Sequence, residues 1–349
     1  MNYIGFATIC ISTLFLTASC KQDESIFHTP DFPQEKQLSA QTVIPADSLL
    51  IQYPYGLHVN GDNIFILALA DNHWMQVYDR QSGQFVTRGI PYGQGPGEML
   101  KGLYMSFNQA QQTFDIYDES LRQLLTYRYD SHTKSFSFIR SQSFSTYKGV
   151  VRKAWQLNED TYLTEGQIGL MNEGKTRFQL YRKDSIWARY DNFPATDEQT
   201  FPIFILSAST TLSPDRTKLA SATLHGGILE TFEVGESAIK PLSTRYFYPP
   251  HIQFEGGAIR PTPETVYGFS SLCADNDYLY AVLIGGKDAN QFDRIAVFDW
   301  EGREQMLYHA DCPVFALAAC PSDANRLYAI AFSRDTGFRI VSFDLPSAS

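Results

Sequence analysis

Val314-Phe315-Ala316-Leu317-Ala318-Ala319 is an apolar run that stops at the polar stretch Cys320-Pro321-Ser322-Asp323-Ala324-Asn325. A second apolar run, Leu327–Phe332, follows. After another turn comes a third, Phe338-Arg339-Ile340-Val341-Ser342-Phe343. Runs of this length, rich in aromatic and β-branched residues and separated by turn formers, predict an antiparallel meander.

The unit recurs along the chain. Its first hairpin has six copies, with turns at Asn60–Asn63, Asn108–Gln112, Asn158–Asp160, Ser213–Arg216, Ala274–Asp277 and Pro321–Asn325. Each turn carries Asp or Asn, whose side chains bond their own backbone and tolerate turn conformations. The second strands begin at Ile64, Phe114, Tyr162, Leu219, Leu279 and Leu327, a spacing of 48 to 60 residues. Third strands follow at Met75–Tyr78, Gln123–Tyr129, Arg177–Tyr181, Ile228–Val234, Arg294–Phe298 and Phe338–Phe343. Fourth strands follow in five copies, at Phe85–Gly89, Ser135–Phe144, Ile186–Tyr190, Ile239–Phe247 and Glu304–His309. A β-sandwich would look alike locally, but a repeat near this length with four strands per copy predicts an all-β, six-bladed propeller. The sixth copy has no room for a fourth strand. The apolar segment Thr42–Ile51 lies before the first copy and is expected to supply it, pairing the two ends of the chain so that no sheet edge is left open.

Composition agrees with this reading. The chain has 349 residues, 44% of them apolar, with 25 Phe and 20 Tyr. Aromatic and β-branched residues suit pleated sheets. The formal charge is −10, and no Lys/Arg cluster supplies the basic footprint that a nucleic-acid partner needs.

Three segments are predicted: a signal peptide over residues 1–19, a tether over 20–40, and one propeller domain over 41–349. The apolar run Ile4–Leu16 is too short to span a membrane and is followed by small residues, a signal-peptide pattern, although no Lys or Arg precedes it. Leu16-Thr17-Ala18-Ser19-Cys20 resembles the lipobox of bacterial lipoproteins, which implies lipidation at Cys20. Lys21-Gln22-Asp23-Glu24 resembles the acidic signal that sends some Bacteroidetes lipoproteins to the outer face of the outer membrane. Residues Lys21–Ala40, with two prolines and mixed charges, read as a tether. Beyond Cys20 only Cys273, Cys312 and Cys320 remain. Cys273 and Cys320 end first strands in adjacent blades and read as small core residues.

Two loops stand out. Arg88-Gly89-Ile90-Pro91-Tyr92-Gly93-Gln94-Gly95-Pro96-Gly97-Glu98 is a shaped turn in which the glycines allow positive φ and Pro96 restrains Gly95. No Gly-Lys-Ser/Thr follows it, so it is not a phosphate loop. A Gly-Gln-Gly-Pro-Gly-Glu stretch after the first blade resembles the Bacteroidetes TolB-like six-bladed β-propeller lipoproteins. The Ser213-Pro214-Asp215 turn is similar to the repeats of TolB propellers. The resemblance implies a fold and a cell-surface or periplasmic setting, and no activity. Tyr246–Tyr267 is the longest connection between blades, and long structured loops tend to be functional. The candidate ligand residues are therefore Tyr92, Gln94 and Glu98 from the first loop, and Tyr248, His251 and Arg260 from the second.

The seven histidines lie in no zinc-ligand spacing, so no metal and no cofactor is predicted. No Gly-x-Ser-x-Gly elbow is present. The expected role is a monomeric, non-enzymatic binding or scaffold module for a protein, peptide or glycan at the cell envelope. The alternative is an enzyme, a glycan lyase or hydrolase or a metal-dependent lyase, at the channel mouth. That alternative expects His58, Glu98, Arg152 and His251 to converge.

Overall fold

The computed structural model describes residues 26–49, 51–144, 151–166, 177–182, 185–194, 208–255 and 258–346. The predicted signal peptide, Cys20 and the first part of the tether lie outside these residues. Two short strands come first, β1 (Glu35–Leu38) and β2 (Gln41–Ile44). Blade 1 follows as β3 (Gly56–Asn60), β4 (Asn63–Ala70), β5 (His73–Asp79) and β6 (Phe85–Pro91). Blade 2 is β7 (Gly102–Asn108), β8 (Thr113–Asp118), β9 (Gln123–Asp130) and β10 (Ser135–Ser143). Blade 3 is β11 (Val151–Gln156), β12 (Thr161–Gly166), β13 (Phe178–Arg182) and β14 (Ser185–Tyr190). Blade 4 is β15 (Ser209–Leu212), β16 (Lys218–Ala222), β17 (Gly227–Val234) and β18 (Ile239–Tyr248). A hairpin, β19 (Ile252–Glu255) with β20 (Ala258–Pro261), separates it from blade 5. Blade 5 is β21 (Tyr267–Ala274), β22 (Tyr278–Gly286), β23 (Arg294–Asp299) and β24 (Glu304–Ala310). Blade 6 holds β25 (Val314–Ala319), β26 (Arg326–Ser333) and β27 (Gly337–Asp344).

Each blade is an antiparallel sheet whose strands pair in chain order, so the predicted six-bladed propeller is the fold. Neighbouring sheets pack face to face, which is why the middle strands are apolar on both sides. Ile64, Phe65, Ile66 and Leu67 of β4 are all at most 2% exposed. The buried residues divide into clusters between successive blades. One cluster joins Ile64, Ile66 and Tyr78 of blade 1 to Tyr328, Ile330 and Ile340 of blade 6, which closes the ring.

The closing strand is shorter than expected. β2 pairs antiparallel with β27, setting Gln41 opposite Ser342 and Ile44 opposite Ile340. It ends at Ile44 rather than Ile51, because Pro45 opens a turn in which the Ser48 N–H bonds the Pro45 carbonyl. Proline fixes its own φ and offers no N–H to a ladder.

The tether is also shorter than the predicted 20–40. β1 pairs in parallel with β24, from Glu35 opposite Leu307 to Leu38 opposite Ala310, and becomes a fifth strand of blade 5. Leu38 is 3% exposed between blades 5 and 6. Before it, the His28 N–H bonds the Tyr246 carbonyl and Phe32 packs on Phe298. Only one of the four β1 residues is buried, so no hydrophobic period marks this strand in the sequence.

Candidate functional site

The Gly-rich loop is rigid for a reason other than the predicted one. Of its three central glycines only Gly97 has positive φ, at 77°. Gly93 and Gly95 instead leave room for the Glu98 carboxylate, which a Cβ on Gly93 would overlap. Glu98 Oε2 accepts the Gly95 N–H at 2.8 Å, and the buried Trp74 indole donates to the Met99 carbonyl at 2.8 Å. Glu98 is thus engaged with its own turn. Tyr92 and Gln94 are exposed on the outside of that turn.

The long connection is not a plain loop, because the β19–β20 hairpin stands within it, with Arg260 opposite Gln253. Its Gly256-Gly257 turn lies outside the described residues. His251 is exposed, and its carbonyl accepts the hydroxyls of Thr262 and Thr265. Tyr248 packs against the cluster between blades 4 and 5. In an antiparallel ring every link from an outer strand to the next inner strand lies on one face, so both loops share a face. None of the six predicted ligand residues lines the central cavity. Of the four residues expected to converge in an enzyme, only His58 does.

That cavity is the central channel, with a volume of about 630 Å³, walled by the first strands of the blades. One side is apolar. Tyr53 and Tyr55 meet edge to face at 5.2 Å at the mouth, Tyr53 meets Phe315 at 5.5 Å, and Leu57 and Phe107 continue inward. His58 stacks on Phe107 at 4.6 Å, and burial pushes its imidazole down to about 3, so it stays neutral.

The opposite side is polar. Lys153, on β11, points its ammonium to Glu165 Oε2 at 3.4 Å and donates to the Ala208 carbonyl at 3.4 Å. It also lies 5.3 Å from the centre of the Tyr104 ring. Glu165, on β12, is buried, and Arg152 stands 3.8 Å from its other oxygen. Burial raises the Glu165 carboxyl, but Lys153 and then Arg152 outweigh it and hold the group below the usual range. Burial lowers the Lys153 ammonium, and Glu165 restores only part of that shift. The Trp155 indole donates to the Tyr104 oxygen at 3.0 Å, and the Tyr104 hydroxyl donates to the Thr210 carbonyl at 3.3 Å. This relay links blades 2, 3 and 4, and burial pushes the phenol up to about 12.

Arg216 lies deeper, at the Ser-Pro-Asp turn of blade 4. Asp215 accepts the Ser213 hydroxyl at 2.6 Å and the Thr217 N–H at 3.0 Å, which sets the turn and places Arg216 at φ 62°. From there its guanidinium donates to Asp115 of blade 2 at 2.8 Å and to the Gln156 carbonyl of blade 3. Sequence reading missed Lys153, Glu165, Arg216 and Asp115. The available signal was a carboxylate inside a fully buried strand, Asp115 in Thr113–Asp118 and Glu165 in Thr161–Gly166, because charges there are almost always paired. No group of three or more metal-ligating side chains is present among the described residues. The three cysteines Cys273, Cys312 and Cys320 are free thiols.

The profile of the TolB-like six-bladed propellers matches residues 31–316. The chain belongs to that family. Its fold resembles that of a Bacteroides fragilis protein described as a candidate exported protein. That likeness has a TM-score of 0.57 at 14% identity, over 90% of this chain and 99% of the other. A luciferin-regenerating enzyme is similar with a TM-score of 0.51 at 12% identity, over 89% of this chain and 96% of that one. A DUF4221-family protein of Bacteroides vulgatus reaches a TM-score of 0.49 at 9% identity, over 89% of this chain and 98% of that one. At these identities the likeness is one of fold. No match was found among curated proteins.

Proposed function

We propose that this propeller is a binding protein of the cell envelope, anchored by lipid at Cys20, which takes its ligand into the central channel. The observation that carries this reading is the channel itself. Its volume of about 630 Å³ falls within the usual range for small-molecule sites. Its two walls differ in kind, aromatic and aliphatic on one side, hydroxyl-bearing and charged on the other. That combination buries an apolar body and orients it by a few polar groups. The two conspicuous loops frame the face around the mouth and bond mainly within themselves, which suits a scaffold better than a contact site.

The envelope setting rests on the first twenty residues, where a short apolar run meets Leu16-Thr17-Ala18-Ser19-Cys20. Metabolic labelling with a radioactive fatty acid tests it, since label should enter the chain and be absent from Cys20→Ala. The binding role is tested by a thermal-shift screen of the purified protein against small acids, sugars and dipeptides. A ligand at a hundredfold excess over its Kd adds about 2.7 kcal/mol of stability. Ala316→Trp and Ser271→Phe each fill the channel from a different blade, and either should abolish the shift. A shift that survives both substitutions refutes the channel as the site.

A further inference from the structure

The chain carries 38 Asp and Glu against 28 Lys and Arg, yet none of those carboxylates lines the channel among the described residues. The charged side chains that do line it are Lys153 and Arg216. Their carboxylate partners stand behind them, in β12 and β8, away from the cavity. Arg216 is held at both ends of its fork by Asp115, the Gln156 carbonyl and the Ser106 hydroxyl. Lys153 is held more loosely, with its two partners both at 3.4 Å. An ammonium carries three donors, so Lys153 can turn one toward the cavity without leaving Glu165.

Hydroxyls surround that position. Ser209 and Thr210 precede Thr211 on β15, and Ser270 and Ser271 stand on β21. The Ser209 hydroxyl donates to the Ser270 carbonyl at 3.2 Å, which draws the two strands together. The Ser270 hydroxyl is buried and has no partner among the described residues, and the same holds for the His58 Nε2. Across the cavity the half-exposed Tyr53, 50% exposed, and its neighbours Tyr55 and Phe315 offer ring faces and edges.

We infer that the channel takes a carboxylate carried on a ring-shaped body, with the acid group received by Lys153 and the flanking serines and the ring lying against the Tyr53–Tyr55–Phe315 rim. This rests on the channel reading above and names its ligand class. Two sources share the chemistry, a uronic-acid residue at the end of a glycan and a free aromatic acid.

The test is calorimetric titration of the purified protein with D-galacturonate and 3-phenylpropionate, each beside its neutral counterpart, D-galactose and 3-phenylpropanol. A charge-assisted bond is worth enough that the acid should bind at least about tenfold more tightly than its neutral counterpart. Preference for galacturonate assigns the site to glycan ends, and preference for phenylpropionate assigns it to aromatic acids. Lys153→Met with Glu165→Gln removes both charges together, leaving neither buried alone, and should erase the preference. The comparison of acid with neutral ligand on the unaltered protein stands even where that variant does not fold. Equal binding of acid and neutral ligand, a preference that persists in the folded double variant, or no binding of either acid overturns the inference. Ala316→Trp separates the two levels, because loss of all binding there keeps the channel reading when the charge preference fails. Binding that survives Ala316→Trp overturns both.

Discussion

Replacing Arg216 with methionine removes the side chain that ties three blades together beneath the channel. Asp115 is fully buried, and Arg216 is 6% exposed. Without the guanidinium, the partners left to the Asp115 carboxylate among the described residues are the Thr126 hydroxyl at 3.0 Å and the Gln156 N–H at 3.4 Å. The Gln156 carbonyl loses its donor as well. Removing one partner of a buried ion pair costs about 3–5 kcal/mol, since the other charge is left without compensation. The channel admits some water to this site, so the lower end of that range applies. The backbone contributes no difference, because Arg216 already sits at φ 62° and methionine is no worse there than arginine. For a domain of this size a loss of 3 kcal/mol lowers Tm by roughly 4–5 °C, read by far-UV circular dichroism at neutral pH. Arg216→Met with Asp115→Asn discharges the carboxylate and should recover most of the loss. A single variant that melts within about 2 °C of the parent, or a double variant no more stable than the single, would refute the argument that this pair carries buried charge.

Stability should fall as the medium is acidified through pH 6.5, because the unfolded chain protonates His58 there while the folded state refuses the proton until about 3. The unfolded state binds more protons throughout that window, so folding weakens as pH drops. His58→Phe should flatten that part of the urea-denaturation profile, and an unchanged slope would show that His58 is not the group responsible. Gly93→Ala forces the Glu98 carboxylate off the Gly95 N–H and should cost about 1 kcal/mol, the worth of one such bond. In a Glu98→Ala background the same change should cost almost nothing, and additive losses in this double-mutant cycle would contradict the packing described. Truncation through Ala40 strips β1 and with it the buried Leu38, for a loss of about 2 kcal/mol. Truncation through Pro45 also removes β2 and the buried Ile44, and should abolish cooperative melting. Equal melting of the two truncated chains would mean that β2 does not close the ring.

Most of the ring was legible because its signal is local and repeated. Each third strand and each fourth strand read from the sequence falls within two residues of its observed limits. Met75–Tyr78, for example, lies inside β5 (His73–Asp79). What escaped was structure held by long-range pairing with little apolar content. β1 buries only Leu38 and is fixed by backbone bonds to a strand some 270 residues later, as in Glu35 opposite Leu307. The closing strand was located but read too long, since the apolar residues after Pro45 belong to a turn that packs Leu49 into the core.

The site was less legible than the fold, and the reason lies in how a propeller makes a cavity. Each blade offers the channel a few residues of one strand, so the lining gathers Tyr53, Lys153, Ser209, Ser270 and Phe315 from five blades or their approaches. No spacing in the sequence joins such residues, and a search for compact motifs turns instead to loops that are unusual in themselves. The Gly-rich loop is unusual because its glycines make room for Glu98, a local need of the turn. The residues that give the channel its character leave their mark one strand further out, where Asp115 and Glu165 place carboxylates in strands that should hold none. Such a carboxylate calls for a cation, and the second strand of a blade can meet one from its own sheet or from a side chain that reaches in across the axis. Lys153 comes from the adjacent strand of the same blade and Arg216 from two blades away. Both cations therefore lie toward the axis with their counter-charges behind them, and an acidic chain is left with a channel that no carboxylate faces among the described residues.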